Sequence, residues 1–199
     1  MISTVASGSP EANGLYSTRQ SHAVIDRYLS AARRAHALLI LDIQPGHADF
    51  MSEVKRLEPF LRQPDVGLAL DPEWHVAPGE VPGRVIGSMQ SSDVNAISTY
   101  LASIVREGNL PQKLLVVHQF TDNMVRDKQL LRQTPEVALT LNVDGFGTIP
   151  VKVAKYRDFA RSRPVTHHGF KLFYKEDPVL MSPREVLRMR PRPELVVYE

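Results

Sequence analysis

The residues whose types and spacing best suit chemistry are Asp71 and Glu73, separated by Pro72 and followed by Trp74. Two neighbouring carboxyl groups resist double ionisation, so one can keep its proton near neutral pH and act as a general acid. Pro72 fixes one backbone angle between them. The Trp74 indole offers either an apolar flank that raises a carboxyl pKa or a flat wall for a sugar ring.

Similar polar groups recur at the ends of short apolar runs. LLILDIQPG ends in Asp42 and Gln44, LLVVHQF in His118 and Gln119, LTLNVDGFG in Asn142 and Asp144, FKLFY in Tyr174 and LVVY in Tyr198. If the runs are strands, residues two apart share a face, so Asp42 with Gln44, Asp71 with Glu73, and Asn142 with Asp144 project together. So many polar groups buried without partners would cost roughly 1–3 kcal/mol each, so they must bond one another, water or a ligand. Glu73 with Asp42 or Asp144 fits two-carboxylate glycoside hydrolysis, in which one group protonates the leaving oxygen and the other attacks or activates water. Asp71 would tune Glu73, and Trp74 and Tyr174 would contact sugar rings. A metal-assisted site would draw on His118, Asp42 and Glu73, with His47 a further neighbour. No HxH or HExxH spacing supports it, and neither metal nor cofactor is expected.

The elements that must position these groups are legible in the pattern. Apolar runs at Ile2–Ala6, Leu38–Ile43, Val66–Leu70, Leu114–Val117, Val137–Leu141, Phe170–Tyr174 and Leu195–Tyr198 read as buried strands. Helical periodicity fills the intervals, for example Val94, Ile97, Leu101 and Ile104. Ser21, Asp49 and Ser92 are candidate N-caps, Pro150 opens a helix, Ser182 with Glu185 forms a capping box, and Gly108 and Gly169 mark helix ends. Alternating strands and helices imply a parallel sheet. No glycine-rich nucleotide loop is present, and polar residues end nearly every strand. That favours a (β/α) TIM-type barrel whose mouth they line. About seven strands in 199 residues fall short of the usual eight strands and roughly 250 residues. The expectation is a single barrel domain over residues 1–199, incomplete at its N-terminus and lacking its first strand. Its open edges would invite self-association. The segment from His75 to Gln90 reads as a lid or subsite wall.

Composition narrows the partners. The 24 Lys+Arg nearly balance the 22 Asp+Glu, for a net charge of +2, which gives no reason to expect nucleic acid, and the basic stretch from Arg184 to Arg192 reads as solvated surface. No cysteine is present, which excludes disulfides and a thiolate nucleophile but leaves the compartment open. No apolar run approaches the roughly 18 residues of a membrane span.

The segments LDIQPGHADF, VGLALDPEWHVAPGEVPGR, KLLVVHQFT and VALTLNVDGFG together resemble a family of actinobacterial cell-envelope proteins, many of them predicted lipoproteins, which resemble TIM-barrel glycoside hydrolases in outline. The resemblance runs over nearly the whole chain and is most specific around DPEW. It implies an exported, envelope-associated protein whose relatives carry an export signal and a first strand that this chain lacks. It assigns no activity. The DxE pair is also similar to that of chitinase-like glycosidases, although their fuller DxxDxDxE pattern is absent. The resulting expectation is a glycosidase-like hydrolase acting on a cell-envelope or extracellular polysaccharide. The alternative is a non-catalytic carbohydrate-binding or structural envelope protein.

Overall fold

A computed structural model of the chain describes residues 1–161 and 167–199. Its centre is a curled eight-stranded sheet that forms a half-barrel. Five neighbouring strands form its middle: β1 (Ile2–Ala6), β3 (Leu39–Ile43), β4 (Val66–Leu70), β6 (Lys113–Gln119) and β8 (Val137–Val143), with β2 (Ser17–Arg19) folded back beside β1. β9 (His167–Leu172) and β10 (Leu195–Tyr198) complete the sheet in the order β10-β9-β8-β6-β4-β3-β1-β2. All neighbours are parallel except β1 and β2. A two-stranded parallel ladder, β5 (Met89–Gln90) with β7 (Val125–Arg126), stands apart from it.

The TIM-type barrel expected from the pattern is therefore incorrect. The sheet runs from β10 at one edge to β2 at the other and is not a closed ring. Ser17–Arg19, too short and polar to read as a strand, pairs antiparallel with β1 through Thr4 and Arg19, so β1 is flanked on both sides. The connections also depart from the barrel plan. Among the described residues six α-helices occur: α1 (His22–Arg34), α2 (Phe50–Arg56), α3 (Glu58–Leu61), α4 (Ser91–Gly108), α5 (Ile149–Arg161) and α6 (Pro183–Leu187). The crossover from β6 to β8 contains 3₁₀ turns and β7 in place of a helix. Polar strand ends were a sound signal for a curved sheet, because curvature alone brings those ends together. They carried no information about closure.

Local signals explain most boundaries. The Ser21 hydroxyl accepts from the Val24 amide to start α1, and Asp49 does the same for α2 through the Ser52 amide at 2.8 Å. Ser182 and Glu185 cap each other's backbone at α6. α4 starts two residues earlier than an N-cap at Ser92 would set it, with the Asp93 carboxylate accepting from the Gln90 amide, and it ends at Gly108 with Asn109 left-handed at φ 46°. Gly169 does not end a helix but lies within β9. A Cβ there would stand 2.6 Å from Asn142 Oδ1, so the absent side chain makes room for that amide.

Strand alternation sorts the sheet into two faces. Leu41, Ile43, Leu68, Leu70, Leu115, Val117, Leu139 and Leu141 are all at most 3% exposed and pack with Val54, Leu57, Val94, Ile97 and Leu101 of the helices. A second cluster joins Val143, Phe170 and Leu172 to Tyr156 of α5 and Val186 of α6. The alternate residues, Asp42, Ala69, Val116 and His118, face the concave side and line a cavity there.

Candidate functional site

The concave face holds two adjoining cavities of about 260 and about 310 Å³. The inner one is lined by Asp42, Asp71, His118 and Lys171 beside apolar strand residues such as Ile40 and Val116. The outer one is walled by Trp74, Phe120, Phe146 and Phe173 around Glu73 and Asp144. Gln44, Asp71, Lys171 and Glu199 line both. Each polar group sits there for a local reason. Asp42 is on the concave parity of β3, and Asp71 follows β4, its amide donating to the Ile43 carbonyl at 3.0 Å. Pro72–Trp74 then forms a 3₁₀ turn that carries Glu73 and Trp74 outward to the second cavity. His118 and Asn142 are register partners on β6 and β8, and Asn142 faces Gly169 on β9.

His118 is the hub. Its Nδ1 lies 3.2 Å from Asp144 Oδ2 and 3.2 Å from the Asn142 amide nitrogen, and its Nε2 lies 3.7 Å from Asp42 Oδ2. Lys171 Nζ donates to Asp144 Oδ2 at 3.0 Å and pairs with Glu199 at 2.5 Å. The Gly145 amide donates to Asp144 Oδ1 at 2.6 Å, with Gly145 at φ 99°, a conformation that glycine adopts without strain. Asp144 is thus fully engaged, whereas two buried acceptors, Asp42 Oδ1 and Asn142 Oδ1, have no hydrogen-bond partner among the described residues. Gln44 bridges to β1, its Oε1 accepting from the Ala6 amide at 3.2 Å while its Nε2 reaches Asp71 Oδ2 at 3.5 Å.

These contacts drive the carboxyl groups apart in acidity. Burial pushes Asp71 up to about 7, with the charges of Asp42, Glu73 and Asp144 adding to the rise and His118 opposing it. Burial also raises Glu73, helped by Asp144 and opposed by Lys171 and His118. For Asp144, burial acts upward, yet the His118 hydrogen bond, the Lys171 and His118 charges and the Gly145 amide hold it at about 2. Burial would lower His118, but its bond to Asp144 and the charges of Asp42, Asp71 and Asp144 outweigh that and raise it to about 9. Lys171 is likewise shifted upward against its burial, chiefly by the charge of Asp144 and the hydrogen bond to Glu199. At neutral pH the cleft therefore holds an imidazolium, an ammonium and an ionised Asp144 beside Asp71, which burial brings into its titration range, and Glu73, whose acidity burial weakens. That combination suits proton transfer. Among the described residues no group of three or more His, Asp or Glu side chains is arranged to hold a metal ion.

Of the side chains picked out from sequence, Asp42, Gln44, Asp71, Glu73, Trp74, His118 and Asp144 line these cavities, and Asn142 backs His118. Four lie elsewhere. Gln119 has the opposite strand parity from His118, and its amide donates to the carbonyls of Thr121 and Asp122. Tyr174 falls beyond the end of β9, because that strand starts at His167 and stops at Leu172; it is 64% exposed and stacks on Tyr198 at 5.7 Å. Tyr198 alternates away from Val197 and Glu199, which line the inner cavity. His47 packs against Tyr16 at 4.6 Å and contacts the Glu80 carbonyl, away from His118. The segment from His75 to Gln90 lines neither cavity; it is fastened to the turn that carries Glu73, with the Gly87 amide on the Glu73 carbonyl, His75 Nδ1 on the Ser88 carbonyl and β5 paired to β7.

The sequence reading missed Lys171, Glu199 and the aromatic wall of Phe120, Phe146 and Phe173. A signal existed for Lys171. It stands between Phe170 and Leu172, where a period-2 strand puts it on the face opposite the apolar core. No family model matches the chain, and neither a curated protein nor a solved structure shows significant similarity to it.

Proposed function

We propose that the protein is a hydrolase that cleaves a glycosidic bond in a polysaccharide by two-carboxylate acid–base chemistry. The observation that carries this reading is the split among carboxyl groups in one aromatic-walled cleft. Glu73 and Asp71 are shifted toward their protonated forms, while Asp144 is held ionised at about 2. Glu73 serves as general acid, since it is half-buried, its acidity is weakened and it lies beside Trp74, whose face can stack on a pyranose ring. Asp42 is the better second carboxylate, because it lines the inner cavity and one of its oxygens has no hydrogen-bond partner among the described residues. Both Asp144 oxygens are committed to Gly145, His118 and Lys171, so Asp144 serves as the fixed charge that keeps the imidazolium and the ammonium in place.

The test is release of reducing ends from a panel of envelope and extracellular polysaccharides. Glu73→Gln is expected to lower turnover by about 10²–10⁴-fold with the thermal melt unchanged. A rate equal to the parent's removes Glu73 from this role. Oligosaccharide binding with no turnover by the parent protein would instead make it a carbohydrate-binding protein.

A further inference from the structure

We infer that the sugar unit bound at the junction of the two cavities is an amino sugar with a free amine, its ammonium received by Asp71. This rests on the glycosidase reading above and adds the substrate class. The argument begins with which carboxylates already own a cation. Lys171 is shared by Asp144 and Glu199, and His118 lies between Asp144 and Asp42. Lys155 stands over the Phe120 ring, 5.2 Å from its centroid. Among the described residues Asp71 forms no ion pair, although the charge of His118 acts on it from farther off. It is 8% exposed, it faces both cavities, and its side-chain hydrogen bonding among the described residues is one 3.5 Å contact from Gln44.

A buried carboxyl group in this state lacks both a counter-charge and donors. A sugar hydroxyl would supply one proton donor and no charge. An ammonium supplies three donors and the missing charge, and Asp42 lines the same inner cavity. The flanking Trp74 and Phe146 faces attract a cation as well. N-acetylation removes the charge and two of the three donors, so the free amine is the form that fits.

The experiment is calorimetric titration of the full chain carrying Glu73→Gln, which halts turnover. The probes are tetramers of glucosamine and of galactosamine, their N-acetylated counterparts, and neutral glucose and galactose tetramers. The free-amine form of at least one series is expected to bind about tenfold or more tighter than its acetylated and neutral counterparts. That preference should shrink with added salt and disappear when Asp71→Asn is added. The comparison of amine with acetylated probe in a single protein needs no further variant, so a poorly folding Asp71→Asn does not rescue the idea. Neutral or acetylated tetramers binding as tightly as the amines would overturn the amino-sugar assignment and leave the glycosidase reading standing. Failure of every tetramer to bind, with no polysaccharide cleaved by the parent protein, would remove both.

Discussion

Asp177 lies outside the catalytic groups and yet holds their wall together, so its removal gives a sharp prediction. Its side chain is 0% exposed and accepts from Lys152 Nζ at 2.9 and 2.7 Å, from the Gly147 amide at 3.0 Å and from the Phe173 amide at 2.9 Å. It thereby ties the loop after β8, which carries Phe146, to the end of β9, which carries Phe173, and the two rings meet edge to face at 6.1 Å. Asp177→Asn leaves the Lys152 ammonium, 3% exposed, facing a neutral amide. Loss of one partner of a buried pair costs about 3–5 kcal/mol. For a chain of this size the loss corresponds to a fall of roughly 6–20 °C in melting temperature. Lys152→Met should cost less, because the carboxylate keeps its two amide donors.

The pH dependence gives a second readout of the same pair. Burial works to raise the Asp177 pKa, but the Lys152 bond and the two amides prevail and lower it below the ordinary carboxylate value. A carboxyl depressed in the folded state contributes stability that is present above an unfolded pKa of about 4 and is lost as pH falls through the folded value. Denaturant or thermal melts of the parent and Asp177→Asn should therefore converge in acid and separate above about pH 4. A difference under about 1 kcal/mol at pH 7 would refute the buried-pair reasoning.

Two further predictions concern the opposite edge and the hub of the site. Glu53, 0% exposed, accepts from Arg19, Arg56 and the Thr4 hydroxyl, fastening β1 and β2 to α2; Glu53→Ala should lower stability by about 3–5 kcal/mol, seen by chemical denaturation, and should speed amide exchange in β2 before the rest of the sheet. Equal exchange in β2 would show that the cluster does not hold that strand. His118, raised to about 9 in the folded state, contributes stability that is complete below an unfolded pKa of about 6.5 and is lost as pH rises through about 9; thermal melts from pH 6 to 10 should fall more steeply for the parent than for His118→Gln, and parallel curves would contradict the imidazolium assignment.

What could be read from the chain follows from which interactions are local. The apolar runs gave all seven parallel strands close to their observed positions, because buried strands need an uninterrupted set of Val, Leu and Ile whatever the sheet finally does. Parity then put Asp42, Asp71, His118 and Asp144 on one face. Closure was not legible, since it depends on β2, a three-residue strand whose only sequence signal is Ser-Thr-Arg and whose place is fixed by pairing with β1. Tyr174 and Tyr198 were misplaced for a related reason. The boundaries of β9 are set by its partners on β8 and β10, and a shift of its end past Leu172 carries Tyr174 out of the cleft. Lys171 was hidden because a lysine in an apolar strand reads as an interruption until its Asp144 partner, 27 residues away, is known.

The central claim is that one cleft shifts Asp71 and Glu73 toward their protonated forms beside an ionised Asp144, and carboxyl-carbon NMR across pH 2 to 9 tests it most directly. The account expects an Asp71 midpoint near 7, a Glu73 midpoint above the ordinary glutamate value and an Asp144 resonance that stays ionised down to about pH 2. If the three titrate together near 4, where free carboxyl groups do, the division of labour proposed for them does not exist.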